Sequence, residues 1–164
     1  MEINFKDICA ICELQVRSDL CKVDAQVRSL AFVGSSYIKQ ELTNDLDILI
    51  HMSSEDMLKL SGECQSSIDW CEGGSFDNED LSDKTPTFRS YRFVVDIGNY
   101  ESIDVNVIAV NTREEFNRFT QAADICRLLH YCDKEIPKDL RIDIHAMLRH
   151  NMSFKELMEE KGLI

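Results

Sequence analysis

The chain has 164 residues, 44% hydrophobic and 29% charged, with only 6 Gly and 2 Pro. That is the composition of a globular domain able to bury a real core, and it excludes disordered, collagen-like and linker-dominated chains. The formal net charge is −12, the reverse of the basic surface that grips nucleic acid through its phosphates, so extended duplex binding is not expected. A nucleotide or a short RNA end needs only a few local cations.

No apolar run approaches the roughly 18–20 residues of a membrane span, and charged residues break up the opening segment. Seven scattered cysteines do not frame a disulfide scaffold. The expectation is a cytoplasmic protein with no membrane contact.

In chain order, Phe5, Ile8, Cys9, Cys12 and Val16 have helical spacing, which predicts an amphipathic helix from Ile3 to about Asp19, continued around Leu20 to Val27. Ser29–Val33 reads as a short strand ending in a Gly34-Ser35-Ser36 turn, followed by a short helix over Tyr37–Leu42. Asp45–Met52 is a second strand, with Leu46, Ile48 and Ile50 on one face and Asp45, Asp47, Leu49 and His51 on the other. Ser53-Ser54-Glu55-Asp56 reads as a helix N-terminus, with a serine cap and acids in the first turn, and the helix is expected to run to about Ile68. Residues 69–83 carry six acids, no Lys or Arg and a Gly-Gly pair, which predicts a mobile loop or lid, the plainer reading being a solvated acidic connection.

Phe88–Ile97 and Ser102–Val110 read as strands joined by a Gly98-Asn99 hairpin turn. Thr112-Arg113-Glu114-Glu115 is a capping box for a helix with the apolar face Phe116, Phe119, Ala123, Cys126 and Leu129. Two more helices are expected, one from Pro137 and a short one capped by Ser153 and Glu156. The fold class is therefore α+β, a mixed sheet backed by helices with a C-terminal helical segment. Residues 1–110 form the core, and 111–164 are expected to pack on it.

The stretch that carries chemistry is Phe32-Val33-Gly34-Ser35-Ser36, followed after a short gap by Asp45-Leu46-Asp47-Ile48, and much later by Ile103-Asp104-Val105-Asn106-Val107. Two aspartates one residue apart on a strand present their carboxylates from one face, and Mg²⁺ favours such hard oxygen ligands. This pattern resembles the DNA polymerase beta-type nucleotidyltransferase superfamily: an apolar strand ending in Gly-Ser, Asp-hydrophobic-Asp on the next strand, and a third carboxylate on a later one. The resemblance spans roughly residues 20–110.

It implies a nucleotidyltransferase-like fold and two Mg²⁺ ions, with a nucleoside triphosphate as substrate. Asp45 and Asp47 would bind both ions, and Asp104 the one nearer the acceptor hydroxyl. Gly34 would let the backbone approach the triphosphate, with Ser35, Ser36 and nearby backbone N–H groups against the terminal phosphates. Asp96 is a rival third carboxylate, but it borders the hairpin turn, where aspartate commonly serves the turn itself.

Further cations for the triphosphate are available in Lys39, Arg89, Arg92, Arg113, Arg118 and Arg127, each of which also reads as an ordinary surface charge. Tyr37 or Tyr91 could stack on a base, although core packing explains both. Cys9 and Cys12 form a C-x-x-C without a second ligand pair, and their helical spacing with Phe5 and Val16 marks them as small core residues. His145 and His150 are five apart, which is not the i, i+4 spacing of a metal pair.

The leading functional expectation is Mg²⁺-dependent transfer of a nucleoside monophosphate from an NTP to an acceptor hydroxyl on a protein, a small molecule or an RNA end. The alternative from another class is a catalytically inactive binding or regulatory module of the same fold, working with a protein partner or as a homo-oligomer. A third reading, an acidic mimic of nucleic acid, explains the charge but not the Gly-Ser and Asp pattern.

Overall fold

The computed structural model describes residues 4–43, 45–63, 69–71, 88–98 and 101–132, together with Ile144, Glu156, Glu159 and Gly162. The helices expected from Pro137 and Ser153, and most of the acidic segment, lie outside these described residues.

Helix α1 (Phe5–Lys22) starts where the Asn4 side chain accepts the Asp7 N–H, and it buries Ile8, Cys12, Val16 and Leu20 at four-residue spacing. The expected continuation to Val27 does not form. Asp24 takes a left-handed φ of 55° and the Ala25 N–H turns back to the Leu20 carbonyl, which closes the last turn and ends the helix.

Strand β1 (Ser29–Val33) runs directly into helix α2 (Gly34–Lys39). Strand β2 (Asp45–His51), helix α3 (Ser54–Glu63), strand β3 (Asp69–Cys71), strand β4 (Phe88–Gly98), strand β5 (Glu101–Val110) and helix α4 (Arg113–Tyr131) follow. The turn and short helix expected after Val33 are a single element that begins three residues early. Gly34, at φ +78°, reverses the chain within one residue, and Gln40 in the left-handed region stops the helix.

Among the described residues five strands are ordered β1-β2-β5-β4-β3. β1 pairs antiparallel with β2, β2 parallel with β5, and β5 antiparallel with β4. The start of the acidic segment differs from expectation: Asp69–Cys71 forms a short edge strand on Ser90–Arg92. The backbone edge of β4 supplies unpaired donors and acceptors, and a short partner strand satisfies them. The fold class is α+β: the Gly-Ser turn after β1 leads through α2 to the Asp-x-Asp strand β2, and the neighbouring strand β5 carries a third aspartate.

Alternation divides the sheet into two unlike faces. Leu46, Ile48, Ile50, Ile103, Val105 and Val107 pack with α1 in the main core. Each such side chain contributes about 1.5–3 kcal/mol by leaving water. On the other face, Val33, Leu49 and Val110 pack with Ala123, Tyr37, Phe116 and Phe119, so α2 and α4 cover one end of that face. Asp45 and Asp47 are half-buried and Asp104 is exposed at the uncovered end. Among the described residues no helix is long and apolar enough to cross a membrane.

The connection between α1 and β1 is clamped by α3. Asp56 accepts the Gln26 N–H at 3.2 Å and pairs with Lys59 at 3.0 Å, while Lys59 also donates to the Asp24 carbonyl. Burial pushes the Asp56 carboxyl up, but hydrogen bonds from Lys59 and the Gln26 N–H, helped by the Lys59 charge and Ser53, outweigh it and hold its pKa below the ordinary carboxylate value. A pKa lowered in the folded state stabilises above the unfolded value, and that contribution disappears as pH falls through the folded one. Asp56→Asn is therefore expected to lower Tm at neutral pH, with the gap to wild type closing in acid. Thermal melts from pH 7 to pH 3 check this, and a gap that stays constant across the series overturns it.

Candidate functional site

Period-two alternation and strand register together build the site. Asp45 pairs with Asp104 and Asp47 with Asn106 across the parallel β2–β5 ladder. Register partners in a sheet share a face, so Asp45, Asp47, Asp104 and Asn106 all lie opposite the main core. On the far side of β5, Val94 pairs with Asp104 and Arg92 with Asn106. Val94 is 63% exposed, so this corner of the sheet is open to solvent.

The Asp45 and Asp47 carboxylates converge on one nitrogen. Asn106 Nδ2 donates to Asp45 Oδ2 at 2.6 Å and to Asp47 Oδ1 at 3.1 Å. A primary amide has two N–H donors, which suffices for both bonds. Among the described residues no three His, Cys, Asp or Glu side chains gather closely enough to hold a metal ion by themselves. Asp104 thus shares the face and register of the pair without closing a three-carboxylate group.

Gly34 borders the same pair. A Cβ built on it would lie 2.0 Å from Asp47 Oδ2, so only glycine leaves that carboxylate its place. The two serines after it are engaged within the turn. Ser36 is buried; its hydroxyl donates to the Asp45 carbonyl at 2.5 Å, accepts the Thr43 N–H at 3.0 Å and contacts Thr43 Oγ1 at 2.9 Å. Ser35 Oγ lies 2.8 Å from the same Thr43 hydroxyl. Ser36 therefore fastens the start of β2 to α2, and Ser35 is half-buried beside it. Removing a buried hydroxyl leaves its former partners unsatisfied at about 1–3 kcal/mol. Ser36→Ala is expected to lower Tm by several degrees, as calorimetry would show, and an unchanged Tm overturns that reading.

The remaining sequence candidates divide. Lys39 is exposed in the last turn of α2. Arg92, also exposed, is at the register position of Asn106, whereas Arg89 is at that of the buried Ala109. Arg113 is exposed in the first turn of α4, and Arg118 pairs with Glu114 and Glu115 along it. Arg127 lies over the Tyr37 ring, 5.2 Å from its centroid, and the Tyr37 hydroxyl donates to Asp124 at 2.7 Å. Burial, and then the Asp124 hydrogen bond, push the Tyr37 phenol above its ordinary pKa. Tyr37 thus joins α2 to α4. Asp96 accepts the Gly98 N–H at 2.9 Å and serves the hairpin turn.

Cys12 is fully buried and Cys9 partly so. Burial, followed by the Glu13 charge for Cys9 and by Cys9 for Cys12, pushes both thiols up to about 11. They pack as small apolar groups in the core. Asn106 and Thr43 are the residues that sequence reasoning missed. Asn106 had a signal, since it lies two positions after Asp104 and so on the same strand face. Thr43 had none, because its role depends on where the loop after α2 folds.

No family model matches the chain, and no curated protein matches it. Among solved structures it is similar to a GTP pyrophosphokinase family protein from Streptococcus pneumoniae, at 12% identity, covering 96% of this chain and 87% of that one, with a TM-score of 0.44. It is similar also to the small alarmone synthetase 1 from Bacillus subtilis bound to AMPCPP, at 11% identity, covering 96% and 92%, with a TM-score of 0.39. Likeness at this level leaves the chemistry to be read from this chain's own residues.

Proposed function

We propose that the chain is a divalent-cation-dependent nucleotidyltransferase, moving a nucleoside monophosphate from an NTP to an acceptor hydroxyl. The observation that supports this reading is the convergence of Asp45 and Asp47 on one point, beside a glycine with no room for a side chain, with Asp104 in register on the same open face.

The donor set suits a hard cation, because two half-buried carboxylates that converge need positive charge between them. Asp45 and Asp47 would hold Mg²⁺, with Asp104 toward the acceptor. When bound, the cation polarises the phosphoryl oxygens and makes the acceptor hydroxyl easier to deprotonate. The chain's own groups orient the substrates. In this reading Gly34 and Ser35 would line the path of the triphosphate, Arg92, at the register position of Asn106, and Lys39, exposed on α2, would supply positive charge, and Asp104 would take the acceptor proton.

The test has two stages. Calorimetric titration of NTPs is expected to show binding in Mg²⁺ that disappears in EDTA. Incubation with an NTP labelled at the α-phosphorus and a cell lysate is then expected to place label on one acceptor class. A parallel γ-label separates nucleotidyl transfer from pyrophosphoryl transfer.

One observation favours a second reading, cation-dependent nucleotide binding without transfer. Among the described residues Asp104 does not join the other two carboxylates in a metal-sized group. Binding that requires Mg²⁺, with no label transferred from any NTP, would establish that reading over the first.

A further inference from the structure

We propose that Asn106 is a positioning residue that takes the cation's place between Asp45 and Asp47, and that cation binding requires its amide to release them; this rests on the functional reading above. Two carboxylates held this close repel each other, and net repulsion across a chain of charge −12 adds to the cost. In the structure the same nitrogen bridges both, at 2.6 and 3.1 Å. Hydrogen bonds to ionised acceptors are about twice as strong as neutral ones. The bridge therefore keeps the pair converged without the charge a lysine would bring.

A lysine there would compete permanently with a divalent ion. An amide competes weakly, because it is neutral and need only turn to free the oxygens. Sequence position accounts for the reach. Asn106 is the register partner of Asp47 across the parallel ladder, and Asp45 is two residues back on the same face. The residue is half-buried, so its amide is screened only partly by water.

The experiment compares wild type, Asn106→Ala and Asn106→Asp by thermal melts in EDTA and in saturating MgCl₂, with Mn²⁺ titration followed by electron paramagnetic resonance. Asn106→Ala is expected to lose several degrees in EDTA and much less in MgCl₂, so that its cation-induced rise exceeds the wild-type rise. Asn106→Asp, with a further negative ligand, is expected to bind Mn²⁺ at least about tenfold more tightly while melting lowest in EDTA. Equal losses in EDTA and MgCl₂ mean that Asn106 is merely structural and overturn the proposal. Unchanged Mn²⁺ affinity in Asn106→Asp overturns it too, and that variant decides the matter if the alanine variant does not fold. Wild type that binds no Mn²⁺ at all removes the functional reading and this inference together, whereas wild-type binding with no difference among variants removes this inference alone.

Discussion

Replacing Asp45 and Asp47 together by asparagine is expected to abolish Mg²⁺-dependent NTP binding and, at the same time, to raise the melting temperature of the cation-free protein. The two effects have opposite signs because one feature causes both. The carboxylates converge on Asn106 Nδ2 on a half-buried sheet face, where like charges destabilise until a cation joins them. Asparagine is nearly isosteric and keeps an oxygen acceptor for the Asn106 amide, so packing is retained while repulsion is removed.

Relief of about 1 kcal/mol corresponds to a rise of roughly 2–4 °C for a domain of this size. The loss of nucleotide affinity should exceed the roughly 10–100-fold that follows removal of groups which only orient metal ligands. Calorimetry with an NTP in Mg²⁺ and melts in EDTA read the two quantities separately. Unchanged binding in the double variant would falsify the metal-holding role. A fall of several degrees in EDTA would show instead that the acids are structural partners of Asn106.

The second large effect is expected at Gly34. Its φ of +78° is strained for any residue with a side chain, and an added Cβ would meet Asp47 Oδ2 at 2.0 Å. The backbone strain alone costs about 1–3 kcal/mol. Relieving the clash requires the carboxylate to leave its place beside Asn106, so Gly34→Ala should weaken cation binding as well as stability. Gly98 provides the control, since its φ is +89° but nothing lies within 4 Å of a built Cβ. Gly98→Ala should carry the strain without the clash. Gly34→Ala is expected to melt clearly below Gly98→Ala and to lose Mg²⁺-dependent nucleotide binding, which Gly98→Ala retains. Equal melting temperatures, with binding intact in both, would show that Asp47 moves freely and that the glycine serves only the turn.

Much of this architecture was legible in the residue pattern. Ser29–Val33 forms the strand that its apolar run suggests, and the Thr112 side chain accepts the Glu115 N–H as half of the expected capping box. These features are local, governed by periodicity and by side chains within one turn of the groups they satisfy. The early start of α2 was not legible. It depends on a glycine conformation and on the Ser36–Thr43 clip, which forms only when residues seven apart meet. The edge strand at Asp69–Cys71 was hidden for a related reason, because three residues carry too little pattern to outweigh the acidic run they open.

By itself, the sequence determined which strand faces the functional side chains occupy. The alternation of Asp45-Leu46-Asp47-Ile48 and of Asp104-Val105-Asn106-Val107 places polar and apolar groups on opposite sides wherever the strands go. Only the tertiary structure decided which strands are neighbours. β5 lies between β2 and β4, in a parallel register that sets Asp104 beside Asp45 and Asn106 beside Asp47. A period of two specifies a side of the sheet but carries no information about the partner strand, because pairing is settled by non-local packing and chain connections. The bridge between two aspartates and one asparagine follows from that register.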